Sequence, residues 1–392
     1  MERVVISSAK RTPIGSFMGE LGSLAATELG GAALKAAISD SGADSGDCDE
    51  LVMGCVLPAG LGQAPARQAG FLAGFPQSVP ATTVNKMCGS GMKAVMLVYD
   101  RIALGQSKIA AAGGMESMTN APYLLPNMRR GSRLGHSGVV DHMFLDGLED
   151  AYESGRLMGE FAEECAQEYQ FTRGMQDDYA VQSVQRARSA TNSGAFSAEI
   201  VPVLVKTRRG SRLVEHDEQP SKSDIARIPG LKPAFKSDGT VTAANSSSIS
   251  DGAAALVLAG ESVADRKSLP VIAAIAGHAT HAQAPREFTT APAVAAAKLI
   301  NSIGWRPEDV DLWEVNEAFA VVAMAFIRDM KLPMDIVNVR GGSCALGHPI
   351  GASGARIIVT LLNSMIDRDA KKGIAAICIG GGEATAIALE RP

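Results

Sequence analysis

Two cysteines, a histidine and an asparagine stand in settings that suit chemistry on a carbonyl group. Cys88 lies in Asn85-Lys86-Met87-Cys88-Gly89-Ser90-Gly91, after an extended run at 80–84 and before a helical one. In the helical run apolar residues recur at Met92, Val95, Met96, Tyr99, Ile102 and Ala103, spacings of three and four. A cysteine at such a turn faces unpaired N–H groups and the positive end of a helix dipole, which favour a thiolate. Its thiol is therefore expected to titrate below the free value of roughly 8.5. The plainer reading is a small buried hydrophobe, as most free cysteines are, and position alone does not separate the two.

His348 belongs to Gly347-His348-Pro349-Ile350-Gly351-Ala352-Ser353-Gly354, a glycine-rich loop opening a second helix. It lacks the Gly-Lys-Ser/Thr ending of a phosphate loop; alone, it would also read as a structural turn with a satisfied histidine. Cys378 ends an apolar strand just before Gly380-Gly381-Gly382, whose backbone N–H groups can point into a cleft. Asn316, in Trp313-Glu314-Val315-Asn316-Glu317-Ala318-Phe319, sits just past a strand end, where α/β sheets bind ligands. In combination, one thiolate would attack a carbonyl while the histidine takes its proton. Backbone N–H groups would hold the oxyanion, and the second thiol would move a proton to or from carbon. Glu116 and Glu383 follow paired glycine runs and would orient water or backbone, with a purely structural role favoured for Glu383. No metal-ligand spacing occurs, and no G-x-G-x-x-G follows the first strand.

The elements that must hold these residues read as strands at 3–8, 50–54, 80–84 and 109–112, with helices at 25–39, 64–73 and from Met92 onward. Such alternation argues for an α/β sheet. From about Thr119 the character changes to an irregular, proline- and arginine-containing stretch. Helices follow near 160–169 and 177–191, then a polar segment at 206–233, and strands resume at 253–259. The last third repeats the first. Asp47-x-Asp49 matches Asp309-x-Asp311 (309 − 47 = 262), and Val84-Asn85 matches Val337-Asn338 (337 − 84 = 253). Ser90-Gly91 matches Ser353-Gly354 (353 − 90 = 263), and Gly113-Gly114-Met115-Glu116 matches Gly380-Gly381-Gly382-Glu383 (380 − 113 = 267). Ordered matches of this kind indicate two copies of one unit. Both repeat helices are apolar nearly all round and must be covered on every side. Packing them against each other between two sheets gives five layers, with both N-termini facing a shared cleft.

At 392 residues, 46% hydrophobic and 20% charged, the chain is expected to form two or three structural units. A net charge of −5 without a long basic run excludes nucleic acid as a partner. Six cysteines without a C-x-x-C pair are no disulfide framework and fit a reducing compartment. Residues 1–6 pass straight into a strand with no signal-peptide core, and no stretch approaches the length of a membrane span. A cytoplasmic protein is expected.

The motifs around Cys88, Glu116, Asn316, His348 and Cys378 resemble those of the thiolases, most closely the acetyl-CoA acetyltransferase branch, over essentially the whole chain. The resemblance implies a five-layered αβαβα fold of two related halves with an inserted loop domain. The expected division is 1–118 completed by 250–269, a loop domain at 119–249, and 270–392. It implies Cys88 as the acylated nucleophile, His348 as the base that activates it, and Cys378 as the acid/base at the α-carbon. Asn316 (through a bound water) and His348 would form one oxyanion hole, and the N–H groups of Cys88 and Gly380 the other. Ser247 would lie near the pantetheine, with Met158, Leu157, Phe288, Phe319 and Glu116 completing the substrate side.

No cofactor is expected to stay bound. Acetyl-CoA, acetoacetyl-CoA and CoA are the implied partners, together with copies of the chain in a homotetramer (a dimer of dimers). The implied activity is condensation of two acetyl-CoA and its reverse, within fatty acid metabolism. The alternatives are a 3-ketoacyl-CoA thiolase with a longer pocket and a non-catalytic acyl-CoA-binding protein. Several positions depart from the family's usual residues. Leu157-Met158-Gly159 stands for His-Met-Gly, and Phe288-Thr289-Thr290-Ala291 for Met-Gly-x-Gly. Arg340-Gly341-Gly342-Ser343-Cys344 stands where Asn and Ala-Ile are usual, and Ser248 and Ser250 replace Gly and Asn. The bulk of Phe288 and Leu157 is expected to favour short acyl chains.

Overall fold

The apolar spacings produce the elements they predict, and what matters for function is how those elements bring two helix starts together. In the computed structural model of the chain, residues 2–207 and 210–392 are described. The N-terminal part runs β1 (Val4–Arg11), β2 (Gly15–Ser16), α1 (Ala26–Ser41), β3 (Glu50–Gly54), α2 (Pro65–Ala73), β4 (Ala81–Val84), α3 (Ser90–Ala103) and β5 (Ile109–Ser117). An excursion follows with β6 (Tyr123–Leu124), β7 (Val140–Asp141), α4 (Met158–Glu168), α5 (Arg173–Asn192), β8 (Val203–Thr207), β9 (Gly210–Val214) and α6 (Glu218–Lys222). Then come β10 (Ser250–Gly260), α7 (Glu261–Lys267), β11 (Ala273–Ala282), α8 (Ala291–Ile303), β12 (Leu312–Val315) and α9 (Ala320–Asp329). The chain finishes with α10 (Ser343–Leu346), α11 (Ile350–Asp367), β13 (Lys372–Ile379) and β14 (Glu383–Glu390).

Strand order across the large sheet is β12-β13-β14-β11-β1-β10-β5-β3-β4, with β2 beside β10. The join between β1 and β11 is made by Val5 with Ala274 and Ile6 with Ala273. Outward from that narrow join the two sides have the same order. β1-β10-β5-β3-β4 is matched by β11-β14-β13-β12, finished by a parallel bridge from Trp313 to Val337. Alternation along β10 shows why the strands are apolar on both faces. Ala253, Ala255, Val257 and Ala259 pack into one core with α1 and α2. Ala254, Leu256 and Leu258 pack into another with α3 and α11. A third core joins α8, α9 and β13 on the far side. Helices outside, sheet, paired helices, sheet and helices outside give the five-layered αβαβα architecture expected from the repeat.

The paired helices approach closely because each carries glycine at the crossing. A Cβ on Gly91 would lie 2.8 Å from the Ala355 nitrogen, and one on Gly354 would lie 2.5 Å from the Met92 nitrogen. Burial of α11 is unbroken from Ile350 to Met365. The copies also agree in detail. Asp49 accepts from the Lys108 N–H (2.5 Å), and Asp311 from the N–H groups of Lys371 (2.7 Å) and Lys372 (2.8 Å). One repeat match is out of register. Leu51 pairs with Ala111 and Trp313 with Ile374, so Met115 is level with Cys378 and Gly113-Gly114 with Ala376-Ile377. The Gly380–Gly382 run is therefore a turn leading to β14, whereas Gly113 and Gly114 lie inside β5. Within the polar segment 206–233 the structure forms β9 and α6, which its composition concealed. Only Val214 is buried in β9, and only Glu218 and Pro220 in α6, so no apolar period marks them.

Candidate active site

The turn before α3 is drawn tight by Ser90, whose hydroxyl donates to the Met87 carbonyl (2.6 Å) and accepts from the Lys86 N–H (2.8 Å). Cys88 is thereby left half-buried at the helix start, with its own N–H and that of Gly380 both directed at the sulfur. Burial pushes the Cys88 thiol up to about 11. The two N–H groups oppose that rise, and the charge of Glu116 adds to it. The expectation of a depressed thiol is thus overturned: the site is desolvated, and a helix start does not outweigh desolvation. Cys378, at the end of β13, is fully buried. Its thiol stands well above the ordinary value, first through burial and then through the facing charge of Cys88. The two sulfurs are near enough for the charge of one to act on the other. Lys86 and Glu383 form an ion pair that ties the Cys88 turn to the Gly380 turn.

His348 is buried, with Nδ1 2.6 Å from the Ser353 hydroxyl. Ser353 donates its own proton to the Pro349 carbonyl (3.0 Å). It can then only accept from Nδ1–H, which assigns the bare lone pair to Nε2. Nε2 is buried and has no protein partner among the described residues. Burial, and secondarily the charge of Arg356, lower the imidazole to about 3, so it is neutral across the physiological range. Asn316, fully buried, accepts on Oδ1 from the Ser343 hydroxyl (2.7 Å). Its Nδ2 is also without a partner. Buried polar atoms rarely stay unpaired, and here two of them belong to residues singled out from the sequence.

Glu116 is fully buried and accepts from the N–H groups of Val56 (3.0 Å), Leu57 (3.1 Å) and Gly351 (2.9 Å). It thus holds the first turn of α11, next to His348, while its charge acts on Cys88. With the Cys55 thiol (3.6 Å) these N–H groups occupy its carboxylate, which fits orientation of the chain. Ser247 gives its hydroxyl to the Ala318 carbonyl (2.9 Å). Met158 lies beside Gly380, its sulfur 3.6 Å from where a Cβ there would sit, and Leu157 precedes it at the start of α4. Phe288 and Phe319 are buried edge-to-face at 6.5 Å in a cluster that includes Phe161. Sequence reasoning missed Ser343 and Arg356 as neighbours of the site. One signal was present: Arg356 is the sole charge in the first four turns of α11, and a buried charge needs a partner.

Two thiols, a bare imidazole nitrogen, a bare amide N–H and two convergent backbone N–H groups can pass an acyl group through sulfur. Family models described as "Thiolase, N-terminal domain" and "Thiolase, C-terminal domain" match residues 4–262 and 269–391. The chain belongs to the thiolase family. It is 51% identical to acetyl-CoA acetyltransferase 2 of Arabidopsis thaliana, over 99% of this chain and 96% of that one. The crystal structure of the Bacillus anthracis acetyl-CoA acetyltransferase superposes with a TM-score of 0.97 at 39% identity, covering 100% of this thiolase and 99% of that chain. A thiolase from Ascaris suum in complex with coenzyme A superposes with a TM-score of 0.94 at 43% identity, covering 100% of each chain. Among the described residues no helix is long and apolar enough to cross a membrane.

Proposed function

We propose that this thiolase is an acetyl-CoA C-acetyltransferase, condensing two acetyl-CoA to acetoacetyl-CoA and CoA and catalysing the reverse thiolysis. The unpartnered Nε2 of His348 and Nδ2 of Asn316, in the cleft region of Cys88 and Cys378, carry this reading. Cys88 attacks the thioester carbonyl as its proton passes to Nε2 of His348. The N–H groups of Cys88 and Gly380 receive the negative oxygen. Coenzyme A leaves with the proton of Cys378. Cys88 is now an uncharged thioester, and the Cys378 thiolate takes the α-proton of a second acetyl-CoA. Asn316 and His348 hold the enolate oxygen. The new carbon–carbon bond forms at the acetyl carbonyl, and Cys88 leaves and recovers its proton from His348. A thiol kept far above its ordinary pKa gives a strongly basic thiolate, which suits removal of a proton from carbon.

The excursion 119–249 holds coenzyme A in this reading, and the chain works in the cytoplasm as a homotetramer. Exposed Tyr123, Leu125 and Leu134 in the excursion support the assembly, and light scattering would measure it. The packed Phe161–Phe288–Phe319 cluster supports a short acyl pocket. Turnover with acetoacetyl-CoA set beside longer 3-ketoacyl-CoAs tests the substrate. A kcat/KM that falls steeply beyond four carbons is expected, whereas a flat profile would assign the 3-ketoacyl-CoA thiolase alternative.

A further inference from the structure

Behind Asn316 lies a line of buried polar groups that the reaction itself does not use. Arg356, on α11, donates from Nη1 to Glu314 (2.9 Å) and from Nη2 to the Ser343 hydroxyl (3.1 Å), and all three side chains are buried. Ser343 in turn lies 2.7 Å from Oδ1 of Asn316. The direction of the chain is forced. Arginine has donors only, so the hydroxyl oxygen must accept from it, and the hydroxyl proton is left to point elsewhere. The remaining neighbour able to accept it is an amide oxygen. Asn316 is thereby held with Oδ1 turned inward and Nδ2 turned away, and that Nδ2 is buried without a partner among the described residues.

We propose that Ser343 is a positioning residue: it transmits the fixed charge of the Arg356–Glu314 pair to Asn316 and decides which face of the amide meets the substrate. An asparagine can rotate by half a turn at little steric cost, and the wrong face would aim an oxygen lone pair at a developing oxyanion. Ser343 removes that choice. The same Arg356 charge disfavours protonation of His348, so one buried cation serves both groups that face the substrate oxygen. Alanine at 343, the residue usual in the family the chain resembles, would leave Oδ1 without its donor and the amide free to turn.

This inference rests on the proposed role of Asn316, and the test separates the two. Ser343→Ala, Asn316→Ala and the double variant are compared for acetoacetyl-CoA formation, for single-turnover acetylation of Cys88, and for melting temperature. Ser343→Ala is expected to lower condensation about three- to tenfold, the value of one buried hydrogen bond, with acetylation unchanged. Combined with Asn316→Ala it should add nothing, because its effect passes through that amide. Independent, multiplying losses would overturn the relay, as would unchanged condensation in Ser343→Ala. If Asn316→Ala itself left condensation intact, the role of Asn316 would fail instead, and the relay with it. Should Ser343→Ala not fold, Arg356→Lys keeps the charge beside Glu314 but withdraws the Nη2 donor, and enters the same cycle with the same expected non-additivity.

Discussion

The two halves of the chain share a scaffold and differ in chemistry. Ser90 and Ser353 occupy equivalent places at the starts of α3 and α11, and each donates to a carbonyl of the preceding loop. In the N-terminal half the serine oxygen also accepts a backbone N–H, that of Lys86, and the tightened turn presents a thiol. In the C-terminal half it accepts instead from the ring of His348. The residue level with Cys88 in the second copy is Gly351 (351 − 88 = 263). One half thus contributes a nucleophile, while the other contributes Asn316, His348 and Cys378, which bind oxygen and move protons. A duplicated unit needs its strands, its aspartate clamps and its crossing glycines twice. It needs each chemical group once.

The largest effect expected is from Cys88→Ala, which removes the only contribution that the N-terminal half makes to bond formation. Turnover should fall by at least about 10⁴-fold with the melting temperature kept. Residual activity above that level would place the nucleophile in the other half. Next comes the ionisation of that thiol. With the Cys88 thiol up at about 11, its alkylation by iodoacetamide should rise about tenfold per pH unit from pH 7 to 10, about 10³-fold overall. A plateau below roughly 8.5 would restore the activated thiolate and make the helix start stronger than burial.

Where the halves meet, Gly114→Ala would drive a methyl group into the Gly351 carbonyl at the start of α11. A loss of about 1–3 kcal/mol in stability is expected by denaturant titration, together with slower acylation because His348 rides on that turn. A fully stable variant would mean that the helix start can shift without consequence. Smallest are the paired changes Asp49→Ala and Asp311→Ala. Each releases backbone N–H groups at the edge of its own half and should cost about 1 kcal/mol, similar in both and without effect on kcat. A large asymmetry would show that the copies no longer carry equal structural weight.

Most of the fold was legible because it is repetitive. Period-2 and period-3.6 patterns marked the strands and helices, and two all-apolar helices required a place between sheets. Cys88, His348, Cys378 and Asn316 were legible because each stands at the end of a strand or the start of a helix beside glycine. The register of the Gly380–Gly382 turn was not legible, since glycine-rich strands and glycine-rich turns look alike in composition. Nor was the height of the Cys88 thiol, which depends on how deeply the other half covers it. Ser343 was visible only as an unusual residue, because its partners Arg356 and Asn316 lie 13 and 27 positions away in sequence.

The central claim is that one cysteine carries the acyl group and the other moves the proton at carbon. Cys378→Ala tests it most directly. The variant is incubated with radiolabelled acetyl-CoA; label retained on Cys88 is counted, and acetoacetyl-CoA is followed by thioester absorbance. Without Cys378, coenzyme A departs as its thiolate and takes its proton from water instead, so label should still accumulate on Cys88. Condensation should fall by about 10²–10⁴-fold, the usual worth of a positioned acid/base. Equal loss of labelling and condensation in a folded variant would contradict this division of labour between the two sulfurs.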